Sequence, residues 1–234
     1  MTVTTALSLE NVGKSFTMHL QGGITLPVVR NVSFDVRSGE CIALGGPSGI
    51  GKSSIIKMIY ASYRCDEGRI LIREGGKELD IVTATPRHII RLRRTTIGYV
   101  SQFLRVIPRV SAIDIVASSF REGGTERDEA EARAADLLLR LNIPKRLWRL
   151  PPSTFSGGEQ QRVNIARGFA GTYGILLLDE PTASLDATNR DVVVELIAER
   201  KARGTAIVGI FHDQDVRARC ADRVIELTRF SQAA

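Results

Sequence analysis

Gly46-Pro47-Ser48-Gly49-Ile50-Gly51-Lys52-Ser53 is the stretch on which the reading of this chain turns. Its spacing is glycine, four residues, then Gly-Lys-Ser, the phosphate-loop or Walker A pattern. With glycine at about 7% of residues, a chance match in a chain this long is on the order of one in a hundred. The flanks fit as well. Cys41-Ile42-Ala43-Leu44 is continuously apolar, like a strand buried on both faces, and a helix follows from about Lys52 to Ala61. Such a loop lets backbone N–H groups converge on a polyphosphate, with Lys52 on the terminal phosphates and the Ser53 hydroxyl free for a metal ion.

Outward from this loop, the first 45 residues read as strands, with a turn at Gly22-Gly23 and period-two alternation in Val32-Ser33-Phe34-Asp35-Val36. Two short strands are expected near 69–73 and 77–82, a basic helix after Pro86, and a strand over 96–100. From Arg105 to Leu150 the pattern turns helical, most clearly in Glu126 to Leu141. A second alternation then runs as strand 175–178, helix 188–203, strand 205–211, helix 213–220 and strand 223–227. Alternation of this kind implies a largely parallel sheet with right-handed crossovers, and ligands at the carboxyl ends of its strands.

Composition narrows the class. Of 234 residues, 43% are hydrophobic and 25% charged, which excludes disorder and describes one globular unit. Runs such as Ile175 to Leu178 fall far short of the ~20 apolar residues a bilayer requires. Met1 to Glu10 has no basic region leading into an apolar stretch, so no secretion signal is expected. Cys41, Cys65 and Cys220 are an odd, unclustered set that suits a reducing cytoplasm rather than a disulfide framework. The net charge of +6 is compatible with a nucleotide or an acidic protein surface and does not require nucleic acid. The basic cluster Arg87, Arg91, Arg93 and Arg94 reads as a solvated helix face.

Two further stretches carry chemistry. Ile175-Leu176-Leu177-Leu178-Asp179-Glu180 is a buried strand ending in two carboxylates. Adjacent strand residues point to opposite sides, so one acid can hold hydrated Mg²⁺ while the other orients an attacking water. Phe155-Ser156-Gly157-Gly158-Glu159-Gln160-Gln161-Arg162 precedes a helix. A capping box of Ser156 and Glu159 accounts for part of it. Two glycines in a first turn cost about 1 kcal/mol each relative to alanine, however, and make better sense where a second phosphate contact must approach the backbone.

Phosphate loop, Ser-Gly-Gly and Asp-Glu, in this order, resemble the ATP-binding-cassette (ABC) ATPases over essentially the whole chain. The resemblance implies a P-loop α/β fold with a largely parallel core sheet, an antiparallel β subdomain and an inserted helical subdomain. The nucleotide-binding core would be 1–103 and 161–234, and the helical signature subdomain 104–160. It implies ATP and Mg²⁺ as ligands. Gly46 to Ser53, with Ser54, would cradle the phosphates, and Phe16 would stack on adenine. Gln102 would meet Mg²⁺ and the attacking water, Asp179 would hold the metal through water, and Ser53 would ligate it directly. Glu180 would be the general base and His212 the switch histidine on the γ-phosphate. Ser156, Gly157, Gly158 and Glu159 would close a second subunit's ATP in a head-to-tail dimer, with Asp186 crossing the interface. The signature departs from the commoner Leu-Ser-Gly-Gly-Gln at Phe155 and Glu159.

The stretches Val100 to Ala112, Leu150 to Phe169 and Ile207 to Asp213 further resemble the L component of the bacterial carbon–phosphorus lyase system of phosphonate catabolism. That implies association with a sister K-type ATPase and the lyase core, with Phe103 to Arg109 as the docking segment. The alternative is the ATPase subunit of a transporter, serving an integral membrane permease. A P-loop nucleotide kinase could use the arginine cluster for a lid but leaves Ser156-Gly157-Gly158 unexplained.

Overall fold

The computed structural model describes residues 4–18, 23–104 and 108–230. Gly22 of the expected turn, and Arg105, Val106 and Ile107 of the expected docking segment, lie outside the described residues. Two sheets organise the chain. The first is antiparallel, in the order β2 (Ile24–Arg37), β1 (Thr5–Met18), β4 (Glu67–Glu74), β5 (Lys77–Asp80). The second is parallel throughout, in the order β6 (Ile97–Val100), β7 (Ile175–Asp179), β8 (Ala206–Ile210), β3 (Cys41–Gly45), β9 (Arg223–Glu226).

Every residue of β3, β7 and β8 is buried, which is why these strands read as unbroken apolar runs. Their period-two faces nonetheless divide the interior. Ile42, Leu44, Ile175, Leu177, Val208 and Ile210 pack with helix α1 (Lys52–Ile59) and the antiparallel sheet. Cys41, Ala43, Leu176, Leu178 and Ile207 pack on the opposite side with α3 (Ala112–Glu122), α4 (Arg127–Arg140), α5 (Gly157–Ala170) and α6 (Ala187–Ala202). In β1 the inward residues Leu9 and Val12 are three apart, and the register shifts between them. Asn11 absorbs the odd step at φ 51°, a left-handed conformation that asparagine tolerates.

The helices start where local chemistry directs. Thr85, Ser111, Ser156 and Asp186 each accept a backbone N–H as N-cap of α2 (Pro86–Thr95), α3, α5 and α6. On α2, Leu92 is the buried residue, and Arg91 reaches Glu74 across solvent. Arg93 departs from the solvated face expected of it: its Nε donates to the Tyr60 carbonyl at 2.9 Å and its guanidinium lies 4.5 Å from the Tyr60 ring centre. All three cysteines are free and buried. Burial pushes the Cys220 thiol up to about 11 and raises Cys41 as well, so both stay protonated.

Candidate active site

β3 ends at Gly45 and the chain turns through Gly46, Gly49 and Gly51 with φ of 121°, 83° and 104°. At Gly51 a methyl group would also lie 2.7 Å from Val29 Cγ1 and 2.8 Å from Val28 Cγ1, so space and conformation both demand glycine. No side chain caps α1, in contrast to α2, α3, α5 and α6, and its first N–H groups remain available to an anion. Lys52 Nζ donates to the carbonyls of Gly46 at 2.8 Å and Pro47 at 2.9 Å, which holds a cation over the loop it would serve.

At the carboxyl end of β7 the two acids part. Asp179 continues the face of Ile175 and Leu177, toward α1, and is 5% exposed. Ser53 Oγ donates to its Oδ1 at 3.0 Å and the Tyr99 hydroxyl to its Oδ2 at 3.1 Å. Tyr99 reaches it because β6 pairs Tyr99 with Leu177, two residues before Asp179 on the same face. Burial pushes the Asp179 carboxyl above the usual carboxylate range, against the pull of the two hydroxyls. The ionised form therefore destabilises the fold, a penalty absent below the unfolded carboxylate pKa and fully present once pH has risen through the folded one. Asp179→Asn is accordingly expected to melt with wild type in acid and above it at pH 7–8, each kcal/mol relieved reading as roughly 2–4 °C. A variant melting below wild type at pH 8 in thermal denaturation would show that the hydroxyls outweigh burial.

Glu180 leaves the strand at φ 53° and turns the other way. Gln102 Nε2 donates to its Oε2 at 3.0 Å, and His212 Nε2 lies 2.7 Å from its Oε1. Facing an acceptor-only carboxylate, that ring nitrogen is the one bearing the proton. Beside it a cavity of about 310 Å³ is lined by Glu180, Thr182, Leu185, Arg190, His212 and Asp213. Two residues far apart in the chain thus converge on one carboxylate.

The Ser156 segment forms the expected capping box, Glu159 N–H to Ser156 Oγ at 3.3 Å and Ser156 N–H to Glu159 Oε2 at 2.9 Å. The Ser156 hydroxyl donates to the same carboxylate and holds it below the usual range. A methyl group at Gly157 would meet nothing within 4 Å, so the first turn is open on that side. Among the described residues no hydrogen bond joins this turn to the chain's own phosphate loop. Asp186 caps α6 through Asn189 N at 2.8 Å. Phe16 is 38% exposed and packs edge-on against Tyr63 at 5.3 Å.

Sequence reading missed five participants. Tyr99 was legible in principle, through strand parity. Arg190 and Asp213 form an ion pair beside His212, and Gln161 and Asn164 bond to the backbone next to Glu180 and Gln102. Those partnerships span folds of chain that no local pattern reports. Asn164 is fully buried with its Oδ1 unpaired, a state that costs about 1–3 kcal/mol.

The donor set fits a hard divalent cation, since a hydroxyl and a carboxylate oxygen lie 3.0 Å apart at the mouth of the phosphate loop. Among the described residues no group of three or more acidic, His or Cys side chains could hold a metal ion alone.

Comparison with known proteins points to one family. The family model described as "ABC transporter" matches residues 29–183. The lipoprotein-releasing system ATP-binding protein LolD of Novosphingobium aromaticivorans is 39% identical over 94% of each chain. LolD 2 of Caulobacter vibrioides is 42% identical over 86% of each. The macrolide export ATP-binding/permease protein MacB of Salmonella paratyphi A is 32% identical over 96% of this chain and 33% of that one. The ATP-binding cassette MJ0796, in a dimeric post-hydrolysis state bound to ADP and Pi, superposes with a TM-score of 0.84 at 30% identity over 94% of each chain. The chain belongs to the ABC transporter ATP-binding family. It has the ABC ATPase fold and is an ATPase, converting ATP to ADP and phosphate.

The assignment to the carbon–phosphorus lyase system is overturned. The relatives recovered are ATP-binding proteins of lipoprotein release and macrolide export, which support a transporter ATPase. The physical reason is that the quoted segments surround the shared engine, whose motifs specify ATP chemistry and leave the load open.

Proposed function

We propose that this chain is the ATP-hydrolysing subunit of a membrane transporter, acting at the cytoplasmic face on a separate integral membrane permease. Its full-length match to LolD proteins, and its match to the part of MacB that it covers, support this reading. Among the described residues no helix is long and apolar enough to cross a membrane. The observation that carries the chemistry is the convergence of Gln102 and His212 on Glu180, beside the Ser53–Asp179 pair.

In this reading Gly46 to Ser54 bind the ATP phosphates by backbone N–H groups and Lys52, and Phe16 stacks on adenine. Ser53, Gln102 and, through water, Asp179 would hold Mg²⁺, which when bound neutralises phosphate charge. Glu180 accepts the proton of the attacking water. Its carboxylate is taken up by Gln102 and His212 before nucleotide arrives, so those two groups must turn toward water and γ-phosphate for the base to become available. Arg190 holds Asp213 and thereby the backbone of its neighbour His212. Ser156, Gly157, Gly158 and Glu159 present an open helix start to the ATP of a second copy, and Asp186 lies at that interface. ATP then joins two chains head to tail, and hydrolysis releases them.

Phe103 is 73% exposed and directly follows Gln102, whose flanks are tied by a bond from Ser101 Oγ to the Phe103 carbonyl at 2.7 Å. A permease contact at Phe103 would reach the catalytic glutamine through one peptide bond. Affinity purification from membranes of the native host is expected to recover an integral membrane permease, and Phe103→Asp to reduce that recovery at least about tenfold, as for an interface anchor. Recovery of soluble partners alone would sink the transporter reading.

A further inference from the structure

Helix α5 grips both catalytic loops of its own chain by their backbone. Asn164 Nδ2 donates to the Ser101 carbonyl at 2.6 Å, immediately before Gln102. Gln161 Nε2 donates to the Pro181 carbonyl at 3.2 Å, immediately after Glu180. The two amides are three residues apart, on the same buried side of the helix, at 0% and 5% exposure. One turn further, Gly168 brings α5 so close to β6 that a methyl group there would lie 2.2 Å from Val100 Cγ2. Helix and strand end therefore shift together.

We propose that Gln161 and Asn164 are positioning residues for hydrolysis, which set Gln102 and Glu180 according to where α5 sits. The unpaired Asn164 Oδ1 supports this. An apolar residue would spare the core an orphaned acceptor, so the amide is explained by what its Nδ2 holds. Because α5 opens with Ser156-Gly157-Gly158, a pull on its first turn is carried to the glutamine and the base in the same chain. The inference rests on the roles proposed above for Gln102, Glu180 and the signature turn.

Asn164→Leu keeps the branched shape of the side chain, with bulkier ends, and removes the donor. Steady-state ATPase assays are expected to show kcat lowered about tenfold to a hundredfold, the effect of a misplaced catalytic group. The KM for ATP should stay within about twofold, because the phosphate loop is untouched, and a cooperative thermal melt should show that the variant is folded. Introduced into Gln102→Ala, the same substitution should cost less than about a further twofold, since the group it acts through is gone. Gln161→Leu should lower kcat in the same way through the Glu180 turn, and it decides the matter if Asn164→Leu does not fold. A folded Asn164→Leu enzyme of wild-type kcat, or an undiminished loss in the Gln102→Ala background, overturns the proposal. Normal turnover by Gln102→Ala alone would remove Gln102 from the site, and its positioning by Asn164 with it.

Discussion

Glu180→Gln is expected to bind ATP, to lose about a thousandfold of its turnover, and to accumulate as an ATP-bound dimer. The magnitude is that of a general base, about 10²–10⁴-fold, or roughly 4 kcal/mol of barrier at the middle of the range. Folding should be spared. A glutamine side chain can still accept from His212 Nε2 through its oxygen, and its NH₂ can donate to the Gln102 amide once that group has turned over, so both present contacts have a substitute. Single-turnover assays and size-exclusion chromatography with Mg-ATP read the two consequences separately. Normal turnover would remove Glu180 from the base role. Slow turnover without dimerisation would keep the base and remove the head-to-tail arrangement.

Lys52→Ala should lose most nucleotide affinity. Its ammonium is already directed over the loop by two carbonyls, and a charge-assisted contact to phosphate contributes about 1.5–3 kcal/mol, a factor of about ten to a hundred or more in Kd. At an ATP concentration of about a hundred times the wild-type Kd, binding adds about 2.7 kcal/mol to stability, and a hundredfold weaker site adds only about 0.4. In thermal denaturation the shift produced by Mg-ATP should therefore fall from roughly 5–10 °C to about 1 °C. An unchanged shift would refute the phosphate-loop assignment.

The phosphate loop was legible from eight adjacent residues because its demands are local: positive φ at Gly46, Gly49 and Gly51, and a helix start next to them. Asp179 and Glu180 were legible as a pair facing different ways, because strand parity sends neighbours to opposite faces. The helix start at Ser156 was visible as a capping box for the same reason of locality. The load was another matter. Segments around Gln102 and Ser156 suggested a lyase partner, and the relatives point to transporters, because docking specificity lies in surface shape and charge that a motif does not encode.

By itself, then, the sequence determined an ATP-hydrolysing α/β cassette: strand runs buried on both faces, a Gly-rich turn between strand and helix, and acids at a strand end each follow from chemistry within a few residues. Only the tertiary structure decided which groups meet. Gln102 and His212 are 78 and 32 residues from Glu180, Tyr99 is 80 from Asp179, and Asn164 is 63 from Ser101. Those contacts arise because parallel strands β6, β7 and β8 align their carboxyl ends while α5 packs on β6 and bonds to the turn after β7. That register is set by burial of both sheet faces at once, a property of the whole sheet and of no single segment.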